Sequence, residues 1–240
     1  MNKLKQYIAL FLLVPTIAHA APDSGEPWQA VVARDAEKLA TLIKEGANPN
    51  ERNENGDTLL YYAVKHKAPV EILRILVESG ADVNAPSSES GMTPLVYMTM
   101  TADRMQRIIL QKLSQYSGEQ KQNVAAGLKA KAAKNMRYAA KVIRFLVENG
   151  ANVNQQTPFG TALMNAAKNP WNMEIIDFLL KSGADINLCD RNGRSALFYA
   201  VVFADNETVM QLLAADADPE IKDINGKTYL EIEKEDMLES

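Results

Sequence analysis

Cysteine is nearly absent from this chain. Cys189 is the only one in 240 residues, so no disulfide can close within it. Histidine is almost as scarce, with His19 and His66 alone. No Gly-x-Ser-x-Gly, no phosphate-cradling glycine loop and no cluster of metal-ligand residues occurs. Beyond the first residues no apolar run approaches the roughly 20 residues that cross a bilayer as a helix, so stable membrane insertion is not expected. These absences remove the common signatures of nucleophilic, metal-dependent and nucleotide-dependent enzymes. With 47% hydrophobic and 23% charged residues, what remains has ordinary globular composition.

The start of the chain stands apart. Lys3 and Lys5 precede an apolar run from Ile8 to Val14, and Ala18-His19-Ala20 places small residues where a signal peptidase reads. This pattern predicts a signal peptide over residues 1–20, cleaved after Ala20, and export to the periplasm. Residues 21–240 then carry 24 Lys+Arg against 30 Asp+Glu, a net of −6, with His66 as the one histidine. A single imidazole cannot build a multi-histidine metal site or a relay that needs two.

What is plentiful is repetition. The phrase Gly46-Ala47-Asn48-Pro49-Asn50 returns as Gly80-Ala81-Asp82-Val83-Asn84, Gly150-Ala151-Asn152-Val153-Asn154 and Gly183-Ala184-Asp185-Ile186-Asn187. A worn copy stands at Asp216-Ala217-Asp218-Pro219-Glu220. Successive copies are 34, 70, 33 and 33 residues apart, so the long interval is either two periods or one expanded period. A period of this size marks a stacked repeat array. Each unit opens on a polar turn such as Asn53-Glu54-Asn55-Gly56. A capping residue such as Thr58 follows, then an apolar helix from Leu59, a break at Lys67-Ala68-Pro69, and a second helix with Ile72, Leu73, Leu76 and Val77 inward.

These residues resemble the ankyrin repeat, on Gly91-Met92-Thr93-Pro94-Leu95, Thr161-Ala162-Leu163, Gly193-Arg194-Ser195-Ala196-Leu197 and Gly226-Lys227-Thr228-Tyr229-Leu230. The resemblance covers Trp28 to about Leu238 and implies an all-α solenoid, each unit a β-turn followed by two antiparallel helices. Its expected parts are a lead-in (21–27), an N-terminal cap (28–50), repeats at 51–84, 85–154, 155–187 and 188–220, and a C-terminal cap (221–240). The family usually has histidine after the first helix leucine. Here Tyr61, Val96, Met164 and Phe198 replace it, so apolar or aromatic contact between repeats is expected instead. Phe159 stands in a turn-glycine place, which predicts a distorted hairpin, and Glu231 to Asp236 predicts a polar final helix.

The third unit is long. Leu95 to Gly150 takes 55 residues where sibling units take 20. The surplus, about 104–138, keeps helical spacing through Met105, Ile108, Ile109, Leu113 and Tyr116. It breaks at Ser117-Gly118 and resumes through Val124, Leu128, Ala132, Met136 and Ala140, predicting a projecting helical hairpin. It is also basic, +7 against −13 for the rest of residues 21–240, and Lys134, Arg137, Lys141 and Arg144 fall along one helix side. Two readings are open: a prong that steers an acidic partner, or a solvated helix whose charge maintains solubility. Nucleic acid is not an expected partner, because no base-stacking aromatics interleave with the lysines.

Met92, Met98, Met100 and Met105 crowd together as exported copper-binding sequences do, but without nearby Cys or His they read as core filler. Cys189 reads as a part-buried hydrophobe in a hairpin. No cofactor is expected, nor is catalysis. The resemblance implies a protein-binding surface of hairpin tips and first helices. Its candidates are Arg52, Glu54, Tyr61, Glu89, Gln156, Met164, Arg191 and Phe198, joined by the basic row Lys134, Arg137, Lys141 and Arg144. Small exported bacterial ankyrin proteins include immunity proteins against periplasm-delivered toxins and accessory proteins of catalase-linked defence. The resemblance to such proteins implies the first role for this chain, with an escort or accessory role for an exported enzyme as the alternative, and the chain is expected to act as a monomer.

Overall fold

The computed structural model describes residues 25–101, 118–169, 172–203 and 206–231. The predicted signal peptide therefore lies outside the described residues. Helices pair along the chain: α1 (Glu26–Ala33) with α2 (Ala36–Lys44), and α3 (Leu59–Lys65) with α4 (Val70–Glu78). Then α5, running through 94–101, precedes α6 (Gly118–Glu148). The series closes with α7 (Ala162–Ala166) and α8 (Met173–Lys181), α9 (Ala196–Phe203) and α10 (Asn206–Ala214), and a helical turn at 229–231. First helices stack on first helices and second on second, giving two layers. Among the described residues there is no strand, only single bridges at two hairpins, Arg52 with Thr58 and Thr157 with Gly160.

Local chemistry sets the helix ends. Asp35, Thr58 and Thr161 each accept a backbone N–H three residues on, and Thr93 does the same for Val96. The second helices close on a left-handed glycine: Gly80 N–H donates to Val77 O and Ala81 N–H to Leu76 O. At the last unit Asp216 occupies that place at φ 63°, a conformation glycine adopts at less cost. α1 starts at Glu26, so the lead-in stops at Gly25 rather than Pro27. Proline fits the first helical turn, where its missing N–H needs no partner.

The recurring phrase turns out to be a staple. Its third residue, Asn48, Asp82, Asn152, Asp185 or Asp218, folds back to accept the N–H two residues on. Its last residue reaches the next unit. The Oδ1 of Asn50, Asn84, Asn154 and Asn187 accepts from Asp82, Asn152, Asp185 and Asp218 N–H at 2.7, 2.7, 2.7 and 2.8 Å. The Nδ2 groups of the first three donate to Gly80, Gly150 and Gly183 carbonyls at 2.9, 3.1 and 3.0 Å. Because Asn84 binds Asn152 directly, the 70-residue interval is one expanded repeat, not two.

The expansion lies at the opposite end of the helix pair. α6 has 31 residues, about 46 Å at ~1.5 Å per residue, against nine in α2, α4, α8 and α10. Its final turns supply Ala139, Val142, Ile143 and Leu146 to the common core. One stage earlier it docks on the preceding repeat. Ala132 is buried, the Tyr138 hydroxyl donates to Ala68 O at 2.8 Å, and Lys67 Nζ donates to Asn135 Oδ1 at 3.0 Å. The stretch 132–138 is thus part of the array, although the sequence places it in the insertion. The outgoing arm assigned to residues 104–116 lies outside the described residues. So do residues 232–236 of the expected polar final helix.

Candidate protein-binding surface

Among the described residues five hairpins lead into the inner layer, and each approaches the next along the series. Asn53, Asp190 and Asp223 shape theirs alike, each Oδ1 accepting two backbone N–H groups from across the turn. In the hairpin at 155–160 the left-handed glycine is Gly160, one place later than its siblings, and Thr157 and Gly160 exchange both backbone bonds. The hairpin beside Phe159 is therefore one residue short.

Arg52 and Gln156 link neighbouring hairpins. The Arg52 guanidinium donates to Gly56 O, Pro86 O and Ser88 Oγ, and Gln156 Nε2 donates to Cys189 O at 3.2 Å. Backbone bonds continue the series, from Ser88 N–H to Gly56 O and from Ile224 N–H to Asn192 O at 2.7 Å. The result is a ledge whose tips expose Glu54, Glu89, Pro158, Arg191 and Ile224. A ledge fixed before contact loses little freedom on binding. Ile224, 72% exposed, is its one large apolar tip and is missing from the sequence candidates. The signal was available: it follows Asp223 as Arg191 follows Asp190.

Three candidates lie inside instead. Tyr61 is 2% exposed, Met164 1% and Phe198 9%. They fill the family's histidine place between repeats. The Tyr61 ring meets Tyr97 edge-on at 5.4 Å and its hydroxyl lies 3.3 Å from Ser90 Oγ. Met164 Sδ accepts from Thr161 N–H at 3.4 Å, serving as the acceptor that an imidazole nitrogen would be. Phe198 is covered by the Arg194 guanidinium at 4.9 Å. Burial pushes the Tyr61 and Tyr199 hydroxyls above the ordinary tyrosine range; Tyr199 also donates to Asp190 Oδ2 at 2.6 Å.

Lys134, Arg137, Lys141 and Arg144 are all exposed along α6. Arg144 stacks over the Phe178 ring of the next outer helix at 4.8 Å, which places the row on the outer layer. The structure thus separates the basic row from the hairpin ledge. Met92, Met98 and Met100 pack in the core, while Met105 lies outside the described residues. Among the described residues no group of His, Cys, Asp and Glu could hold a metal ion. Burial, with Asp190 and Asp185 nearby, raises the Cys189 thiol, which disfavours the reactive thiolate. No helix among the described residues is long and apolar enough to cross a membrane.

A solenoid of stapled helix pairs edged by a hydrogen-bonded ledge defines a class, the repeat proteins that bind other proteins. The chain belongs to the ankyrin-repeat family: the model for ankyrin repeats (3 copies) matches residues 28–117 and 130–223, stopping and resuming inside the expanded repeat. Curated relatives include two putative ankyrin repeat proteins of Fowlpox virus (strain NVSL), FPV233 and FPV222. They are 42% identical over 57 residues and 38% over 65, or 24% and 27% of this chain. The matched segments span only 11% and 8% of those relatives. Among solved structures, the chain is similar in fold to a chain from the complex of the predatory endopeptidase Bd0816 of Bdellovibrio bacteriovorus with the immunity protein Bd3460. The TM-score is 0.63 at 20% identity, over 91% of this chain and 95% of that one.

Proposed function

We propose that this chain is a non-catalytic, exported binding protein of the immunity type, which holds and blocks an enzyme acting in the periplasm. The observation that carries this reading is the likeness in fold, over nearly the whole of both chains, to a chain of an endopeptidase–immunity complex. The predicted signal peptide at residues 1–20 supports the same compartment. In this reading the ledge supplies the contact surface, with Glu54, Glu89 and Arg191 selecting the partner by charge and Ile224 as an apolar anchor. The basic face of α6 favours an acidic partner.

The test uses the tagged full-length protein recovered from periplasm. Its first residue should be Ala21 by mass spectrometry; an unprocessed protein confined to cytoplasm would overturn the location. It should co-purify with one exported enzyme in a fixed ratio and abolish that enzyme's activity. An active enzyme in the complex would make the chain an escort instead. Glu54→Lys with Arg191→Glu and Ile224→Asp should lose the partner while keeping the helical circular dichroism of the parent.

A further inference from the structure

The turns joining first to second helices form an edge away from the hairpins. There the first two units place equivalent cations: Arg34 and Lys67 both sit in left-handed conformation, at φ 59° and 54°, just after the first helix. α6 lies against this edge. Its Asn135 accepts from Lys67, and since an ammonium only donates, the amide must turn Oδ1 toward Lys67. The Asn135 Nδ2 is then buried without an acceptor, so a positive end is fixed beneath the surface. Lys131 is one helical turn before Asn135 and Lys134 three residues beyond Lys131; both are exposed.

Among the described residues none of Arg34, Lys67, Lys131 and Lys134 makes an ion pair. Lys67 is held below the usual lysine range by burial and by the Lys131 charge. Burial pushes Tyr138 up to about 12, while the Arg34 charge acts against it. Two equivalent turns and the stretch of α6 docked on one of them thus place four cations from three units along one edge, where the chain outside 104–138 is otherwise net acidic.

We propose that this edge of Arg34, Lys67, Lys131 and Lys134 is a docking site for a short acidic segment of a partner protein, separate from the hairpin ledge. The inference rests on the protein-binding reading above and supplies its second point of contact. A short segment rich in Asp and Glu stays within the ~8 Å over which charges act at physiological salt. An anionic membrane would extend across the acidic remainder of the array and be repelled. It would also want apolar side chains to insert, and among the described residues only Val32 of the exposed large hydrophobics is close in sequence to this edge.

The probe is a fluorescein-labelled hexaglutamate peptide, titrated against the full chain by anisotropy at low and at high salt. Binding is expected at low salt and its loss at high salt. Lys131→Glu with Lys134→Glu should weaken it about tenfold. Lys181→Glu with Lys222→Glu, at the other end of the array, should leave it unchanged. Circular dichroism confirms that both variants fold. No binding at low salt, equal weakening by both variants, or tighter binding to phosphatidylglycerol vesicles or an oligonucleotide than to the peptide would each overturn the proposal. Partner capture separates the two claims. If the edge variant retains the enzyme as well as the parent does, the edge inference fails and the binding reading stands. If the parent captures nothing, the binding reading fails whatever the peptide does.

Discussion

Repeats 51–84 and 85–154 are built on one plan and differ by 36 residues in length. At the hairpin end they are alike: Asn50 clasps Asp82 at 2.7 Å and Asn84 clasps Asn152 at 2.7 Å. At the far end one closes in a short turn at His66-Lys67-Ala68-Pro69 and the other continues into a helix of 31 residues. An array tolerates extra chain where no neighbour is stapled, and closing a longer loop adds little entropy cost. The comparison therefore teaches where this architecture is rigid and where it is free to acquire something new.

The comparison is tested most severely in the core. If α6 is a full outer-layer helix, Ile143→Ala should destabilise as much as Leu76→Ala in the regular repeat. Both side chains are fully buried, and each change should cost about 2–5 kcal/mol by urea unfolding. A cost for Ile143 well under that for Leu76 would mean that the expanded repeat is loosely docked. The staple comes next. Asn84→Ala removes two bonds and should cost about 1–3 kcal/mol, matching Asn50→Ala. Loss at Asn50 without loss at Asn84 would break the equivalence. Tyr138→Phe is smaller, about 0.5–1.5 kcal/mol, because it deletes one hydroxyl bond to Ala68 and keeps the ring. No effect would return 132–138 to the insertion.

Much of this was legible in the residues because repeat chemistry is local. Period, caps and closing glycines depend on neighbours a few places away, so Thr58, Thr161 and Gly80 could be assigned by spacing alone. The staples could not. The phrase shows that Asn50 recurs, but the bond to Asp82 exists only once repeats stack. The ledge was half legible for the same reason. Exposed Glu54, Glu89 and Arg191 follow from turn position, whereas the burial of Tyr61 and Met164 depends on the repeat beside them. The cationic edge was hidden most completely, since Arg34, Lys67 and Lys131 are distant in sequence and share one edge only through the docking of α6.

The smallest expected effect concerns the last unit, where the phrase opens on Asp216 instead of glycine. Its φ of 63° is the left-handed conformation that the sibling positions Gly46, Gly80, Gly150 and Gly183 hold as glycine. Asp216→Gly should therefore stabilise the array by about 0.5–1 kcal/mol, despite the greater freedom that glycine gives the unfolded chain. The reverse change offers the control. A Cβ built on Gly183 meets nothing within 4 Å, so Gly183→Asp isolates backbone strain from packing. It should cost about as much as Asp216→Gly gains, read as opposite shifts in the urea midpoint. If Gly183→Asp costs several times more, the closing turns of the interior repeats are under a constraint that the terminal one has escaped. The worn phrase would then be a mark of the array's end rather than a tolerated substitution.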